Sequence, residues 1–355
     1  MSEQALVRLS HYFGNQSLVE LFRRNPLPPS SIFAGPEGVG KKTLAVALSA
    51  LTNCESKKEN DLCARCPSCA KVSAGNHPDV TVVDFAWIET FLKSKKKRAN
   101  PRVIPIDVMR ELVREAQFRP FQGAVRVFIV DDAHKLNEAA ANSLLKTLEE
   151  PSSTTRIALV TPFPESLLAT IRSRCQVFTF SRIHRDEVAR YLEERGEEQA
   201  QLKSALSTGS IGAALSLDLE PMLKDRDRLL QLLQGWFGNP LFSTVFQVVE
   251  SSELGRELRN RERALELLAL LQRLAEDLYY LRVGTPERLK NIDQREALTS
   301  LAAGIQLSWI ESFLYYTREA IADIEAYVNP LMCFETLWLK VERENVGTGD
   351  RQVQG

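Results

Sequence analysis

Residues 35–43 read Gly35-Pro36-Glu37-Gly38-Val39-Gly40-Lys41-Lys42-Thr43, and this stretch decides the fold. It follows the phosphate-loop pattern G-x-x-x-x-G-K-[ST] from Gly35 through Gly40 and Lys41. In such loops the glycines let backbone N–H groups wrap phosphates, and a Ser or Thr hydroxyl after the lysine holds Mg²⁺. Here the hydroxyl position is Lys42, and Thr43 arrives one place late. Thr43 reaches the metal position only by distorting the start of the helix that follows. The pattern therefore predicts a cradle that is kept and a metal ligand that is lost. Hydrolysis by this chain alone is not expected, and binding of ADP or ATP is left open.

A phosphate loop has meaning only between a strand and a helix. Ser31–Ala34 reads as that strand and Thr43–Leu51 as that helix. Further β-branched runs at Val80–Asp84, Val125–Val130, Arg156–Thr161 and Val177–Phe180 alternate with helical patterns, which predicts a parallel α/β sheet. Glu138–Glu150 carries Leu144, Leu145 and Leu148 on one face and stops at Pro151, a helix with a clear end. After Arg182 the strand signals vanish. His184–Leu217 reads as two or three short helices with a break at Ser207–Gly212. From about Pro221 the chain is helical, with one apolar stripe at Leu267, Leu268, Leu271, Leu274, Leu278 and Leu281 and another at Ile310, Phe313, Leu314, Ile321 and Ile324. The polar, glycine-containing stretch 344–355 reads as a disordered tail.

The bulk numbers fit two or three domains, because 355 residues exceed the roughly 250 at which single cores stop growing. A net charge of −1 gives no overall field for nucleic acid. No apolar run approaches the roughly 20 residues of a membrane span, and the N-terminal residues lack the apolar core of a secretory signal. The cytoplasm is the compartment these features lead one to expect. One local charge run, Lys93–Arg98 (KSKKKR), reads either as a solvated loop or as a contact to a phosphate backbone.

Four of the six cysteines, Cys54, Cys63, Cys66 and Cys69, have the spacing C-x8-C-x2-C-x2-C. Two interlocked C-x-x-C turns aim three thiolates at one point, and Cys54 closes a tetrahedron from the end of the preceding helix. Zinc suits such a site when its job is structural, since no position is left for water or substrate. An iron–sulfur run is the weaker reading, because no further cysteine follows within a few residues of Cys69. Cys175 and Cys333 read as small buried hydrophobes.

Val127-Phe128-Ile129-Val130-Asp131-Asp132 is an apolar strand ending in two carboxylates. In phosphate-loop ATPases the first carboxylate organises Mg²⁺ and the second, usually Glu, polarises the attacking water. Asp132 is one methylene shorter than Glu. Catalytic geometry is sensitive to shifts of about 1 Å, so this substitution weakens any hydrolysis.

Ala141-Asn142-Ser143-Leu144-Leu145-Lys146-Thr147-Leu148-Glu149-Glu150-Pro151, the cysteine cluster after the phosphate-loop helix, and Ser173-Arg174-Cys175 together resemble the bacterial clamp-loader ATPases of DNA polymerase III. The resemblance covers roughly residues 5–220. It implies an α/β AAA+ (P-loop) domain with a zinc module at about 52–72 within residues 1–181, a small helical lid at 182–220 and an all-α collar at 221–343. Partners implied are the tau/gamma and delta subunits of a hetero-oligomer, the sliding clamp and primer–template DNA. Motor subunits of the family carry a Thr after the loop lysine, Asp-Glu after the strand and an Arg in a G-S-x-R lid segment. This chain has Lys42, Asp131-Asp132 and Gly209-Ser210-Ile211-Gly212. All three departures fall on groups needed for turnover, a pattern similar to the stator subunits that leave hydrolysis to their neighbours. In the family the arginine of Ser-Arg-Cys reaches the adjacent subunit's ATP, which makes Arg174 the expected arginine finger in trans. Two other readings stay open here: an active ATPase of the same family, and a zinc-bearing DNA-binding module on an inert nucleotide fold.

Overall fold

The computed structural model describes residues 6–25, 27–97, 103–238 and 253–349. The chain divides into two compact units, residues 1–198 with 209–215, and residues 199–208 with 216–355.

The first unit is built on five parallel strands: β1 Ser30–Ala34, β2 Val80–Val83, β3 Arg126–Val130, β4 Thr155–Thr161 and β5 Gln176–Thr179. Their order across the sheet is β2-β3-β4-β1-β5. Each expected strand is found, its bounds shifted by a residue at most. The central strands are buried on both faces, as parallel sheets require, and their side chains alternate between two cores. Phe33, Val127, Ile129, Ala158 and Val160 face one side. Ile32, Ala34, Phe128, Val130, Ile157 and Leu159 face the other. Helices α1 Gln16–Arg24, α2 Lys41–Asn53 and α3 Pro67–Ser73 supply residues to the first core. Helices α4 Phe85–Ser94, α5 Ile106–Ala116, α6 Glu138–Glu149 and α7 Ala169–Arg172 supply the second. All-buried β1 begins with two serines, and both hydroxyls find carbonyls: Ser30 donates to Leu148 at 3.1 Å and Ser31 to Ile157 at 3.3 Å. Helix α8 Arg185–Glu193 and helix α10 Ile211–Ser216 complete the elements of this unit, α10 continuing one residue past its boundary.

Register fixes what meets at the carboxyl edge of the sheet. β2 pairs with β3 so that Val83 lies opposite Val130, and the Asp131 N–H donates to the Val83 carbonyl at 3.1 Å. The next residue on each strand, Asp84 and Asp131, therefore leaves the sheet side by side.

The second unit is helical: α9 Ala200–Leu206, α11 Leu219–Gly238, α12 Glu253–Glu257, α13 Arg261–Arg282, α14 Arg295–Ala303, α15 Leu307–Glu325 and α16 Pro330–Gly349. Its single core takes in Leu267, Leu268, Leu271, Leu274 and Leu278 of α13 with Ile310, Phe313 and Ile324 of α15. Leu281, Leu314 and Ile321 pack at its margin. Trp236 sits edge-on to Trp338 at 4.6 Å and against Trp309 at 4.7 Å, an aromatic centre joining α11, α15 and α16. Helix α16 runs to Gly349, into the segment 344–355 whose composition marks a tail. Glu342, Arg343 and Glu344 are good helix formers, and no proline stops the turn that α16 has already nucleated. Residues 350–355 lie outside the described residues.

Candidate nucleotide site and metal module

The phosphate loop leaves the end of β1 and runs into α2. Gly38 and Gly40 have φ of +71° and +95°, the left-handed region that glycine enters without a Cβ penalty. Side chains would not fit either position. A Cβ on Gly40 meets the Tyr12 hydroxyl at 2.3 Å, and one on Gly38 meets the Ser210 hydroxyl at 2.0 Å. The segment Gly209–Gly212 is thus seated directly on the loop, with the Gly212 N–H donating to the Gly38 carbonyl at 3.0 Å. Buried Lys41 folds back on the loop, its ammonium donating to the carbonyls of Gly35 at 2.6 Å and Pro36 at 2.5 Å. Burial lowers its pKa. Thr43 follows in the first turn of α2.

Lys42 is where the site departs most from a metal-dependent loop. Its ammonium lies 2.8 Å from Asp84 and 3.2 Å from Asp131, all three side chains being about one-third exposed or less (29, 33 and 26%). Burial works against the charged form of Lys42, and its hydrogen bonds to the two carboxylates reverse the effect and raise its pKa. Asp84 shows the mirror image. Burial raises its pKa, and the Lys42 ammonium together with the Trp87 N–H holds it below the ordinary value. Asp132 is held in the left-handed region at φ +50° and pairs with Lys135 at 2.8 Å. Both carboxylates of the strand end are therefore engaged by lysines of this chain. Mg²⁺ demands about six oxygen ligands near 2.0–2.1 Å. The donor set here offers an ammonium where the hydroxyl belongs, so the residues present do not fit that ion.

The four cysteines do fit zinc. Their sulfurs lie within 4.8 Å of one another and all are buried. A tetrahedral Zn–S distance of about 2.3 Å places sulfurs about 3.8 Å apart, and Cys54 and Cys66 stand at 4.0 Å. Cys54 caps the end of α2, Cys66 the start of α3. Backbone N–H groups point at sulfur, from Cys63 to Cys54 at 3.4 Å, from Cys66 to Cys63 at 3.3 Å and from Cys69 to Cys66 at 3.4 Å. The N–H of Arg65, with that of Cys66, pulls the Cys63 thiol down to about 6, toward the thiolate that zinc takes, while burial pushes the Cys54 and Cys69 thiols up. Beside the cluster, Asp61 accepts from the N–H groups of Leu9, Ser10 and Leu62, and Arg8 donates to the Cys63 carbonyl at 3.1 Å. The N-terminal arm is tied to this module, and the same arm carries Tyr12 onto the phosphate loop.

Arg174 follows the short helix α7. Its side chain is 31% exposed and is held from two sides, Nε donating to Glu149 at 3.2 Å and Nη1 to the Thr170 carbonyl at 3.0 Å. Of the lysine-rich run, Lys93 pairs with Glu89 at 2.8 Å and Lys97 with Asp107 at 2.5 Å. Lys95 lies over the Phe91 ring, and Arg98 falls outside the described residues. Cys333 is buried and Cys175 half-buried.

Sequence reading missed Asp84, Lys135, Tyr12, Ser210 and Glu149. Asp84, Glu149 and Ser210 carried a signal, Ser210 lying in the quoted lid segment. Asp84 follows a parallel strand at its carboxyl end, where ligands of open α/β sheets gather, and Glu149 lies in the quoted family stretch.

A phosphate-loop α/β unit with a four-cysteine module and a helical continuation is the class that this geometry defines. Comparison narrows it. A family model described as DNA polymerase III, delta subunit, matches residues 14–184. The delta′ subunit of Yersinia pestis DNA polymerase III is 31% identical over 305 residues, 84% of this chain and 85% of that one. The Escherichia coli delta′ subunit is 35% identical over 199 residues, 55% of this chain and 56% of its own length. The tau subunit of Salmonella typhimurium is 31% identical over 194 residues, 52% of this chain and 28% of tau. The chain thus spans little more than a quarter of such tau subunits. It belongs to the DNA polymerase III clamp-loader family.

Proposed function

We propose that this chain is the delta′-type stator of the clamp loader, a subunit that hydrolyses no nucleotide itself and serves a neighbour's site through Arg174. One observation carries the reading. The two carboxylates that hydrolysis needs are both paired within the chain, Asp131 with Lys42 and Asp132 with Lys135. The lid-like segment Gly209–Gly212 adds to it, since it rests on the loop with no arginine to offer. The Yersinia pestis delta′ alignment is long enough to extend into the helical unit, which supports the delta′ side of the assignment.

In this reading residues 1–181 are the AAA+ ATPase-like domain with its structural zinc module, 182–220 the lid and 221–343 the collar through which the subunits assemble. The partners are tau/gamma and delta subunits, the sliding clamp and primer–template DNA, and the setting is the cytoplasm. Arg174 would neutralise charge developing on a γ-phosphate bound next door. Arginine fingers contribute about 10³–10⁵ in rate in well-studied NTPases. Its planar guanidinium suits phosphate as a lysine ammonium does not.

The test is reconstitution with motor and delta subunits. Arg174→Ala is expected to assemble normally and to depress both DNA-stimulated ATPase activity and clamp loading, with Arg174→Lys recovering little. Unchanged ATPase activity and loading with Arg174→Ala would remove the trans-finger role. Robust DNA-stimulated turnover by the purified chain alone would instead identify a motor subunit.

A further inference from the structure

We propose that Lys42 is a built-in cation, its ammonium standing where a phosphate loop otherwise holds a divalent metal, so that the pocket of this chain is closed to magnesium. The fold brings Asp84 and Asp131 together by strand register, opposite neighbours at the ends of β2 and β3. Two adjacent carboxylates repel and call for a counter-charge. A metal-dependent loop meets that need with Mg²⁺ held partly by the hydroxyl after the loop lysine. Here the side chain from that very position reaches across and contacts both carboxylates itself, at 2.8 and 3.2 Å. The ammonium is covalently part of α2 and cannot exchange with solvent ions. A divalent ion drawn to the same carboxylates meets a fixed positive charge and lacks its hydroxyl ligand.

It follows that any nucleoside di- or triphosphate taken up by the loop binds without a magnesium ion held by Asp84 and Asp131. The inference rests on the Lys42 geometry alone. It holds for a stator or a motor subunit, and its test is independent of Arg174.

The experiment uses the zinc-loaded full chain and two readouts that need no nucleotide: Mn²⁺ binding by electron paramagnetic resonance, and thermal melting with millimolar MgCl₂ against KCl of equal ionic strength. The wild-type chain is expected to show no Mn²⁺ site in the micromolar range and no magnesium-specific rise in Tm. Lys42→Ser should melt lower, bind Mn²⁺ at least about tenfold more tightly than wild type, and regain Tm when magnesium is added. Lys42→Arg keeps the charge and should stay blind to the ion. A magnesium-specific rise in wild-type Tm, or wild-type Mn²⁺ binding equal to that of Lys42→Ser, overturns the proposal. So does a folded Lys42→Ser chain with no gain in metal binding. The wild-type arm stands as a test even where the serine variant does not fold.

Discussion

At the scale of single residues, Lys42 sets the electrostatics of the candidate site. Replacing it with Met leaves Asp84 and Asp131 adjacent and uncompensated, and the expected loss is about 1–2 kcal/mol, held down by partial solvent exposure. The sign of its pH dependence follows from the two shifts. Asp84 is held below its ordinary pKa, so its contribution is complete above the unfolded carboxylate value of about 3.9 and fades as pH falls through the folded one. Lys42 is raised, so its contribution is complete below about 10.4 and fades as pH climbs through the folded value. Denaturant titrations of wild type and Lys42→Met should therefore differ most between the carboxylate and lysine titrations, and converge as pH falls below the first or climbs past the second. A difference that persists unchanged at both extremes would mean the bridge is not its source. The irregular lysine was legible in the sequence because the loop pattern is rigid and one wrong residue stands out. Its partner Asp84 was not, since it lies 42 positions away and only strand order puts it in reach.

At the scale of elements, the five strands and the loop–helix junction could be read from periodicity because each is short, apolar and bounded by turn residues. The order β2-β3-β4-β1-β5 could not. Neighbours in a parallel sheet are chosen by crossovers that leave no local mark in composition. The cysteine spacing was legible for the opposite reason: its information is local, with four ligands inside residues 54–69. What the spacing hid was the tie between this module and the N-terminal arm through Asp61. Cys63→Ser is expected to abolish zinc binding, and elemental analysis checks it against the one ion per chain expected of wild type. Hydrogen exchange should then rise not only across 54–73 but also at Leu9 and Ser10, whose N–H groups bond to Asp61. Exchange unchanged at those two amides would show that the arm is anchored independently of the metal.

At the scale of the whole molecule, the proposed role lies outside the chain's own pocket, at Arg174. Glu149 from α6 holds the guanidinium, which makes it a positioning residue. Glu149 is 59% exposed, so the pair is worth about 1 kcal/mol at most, or about fivefold in rate. In the reconstituted complex Glu149→Gln should lower turnover by no more than that, with assembly affinity unchanged. A loss as deep as that of Arg174→Ala would show that Glu149 itself touches the neighbouring site.

The sheet also sets an order of events at the ribosome. Among the described residues strand β1 pairs only with β4 and β5, and β4 begins at Thr155, about 120 residues after β1 ends at Ala34. At synthesis rates of about 5–20 residues per second the nascent strand waits about 6–25 s for its first partner. The cysteines at 54–69 and the β2–β3 pair emerge well within that interval. Metal capture can thus precede closure of the sheet, and the strand that launches the phosphate loop is the first to be made and waits longest for a partner.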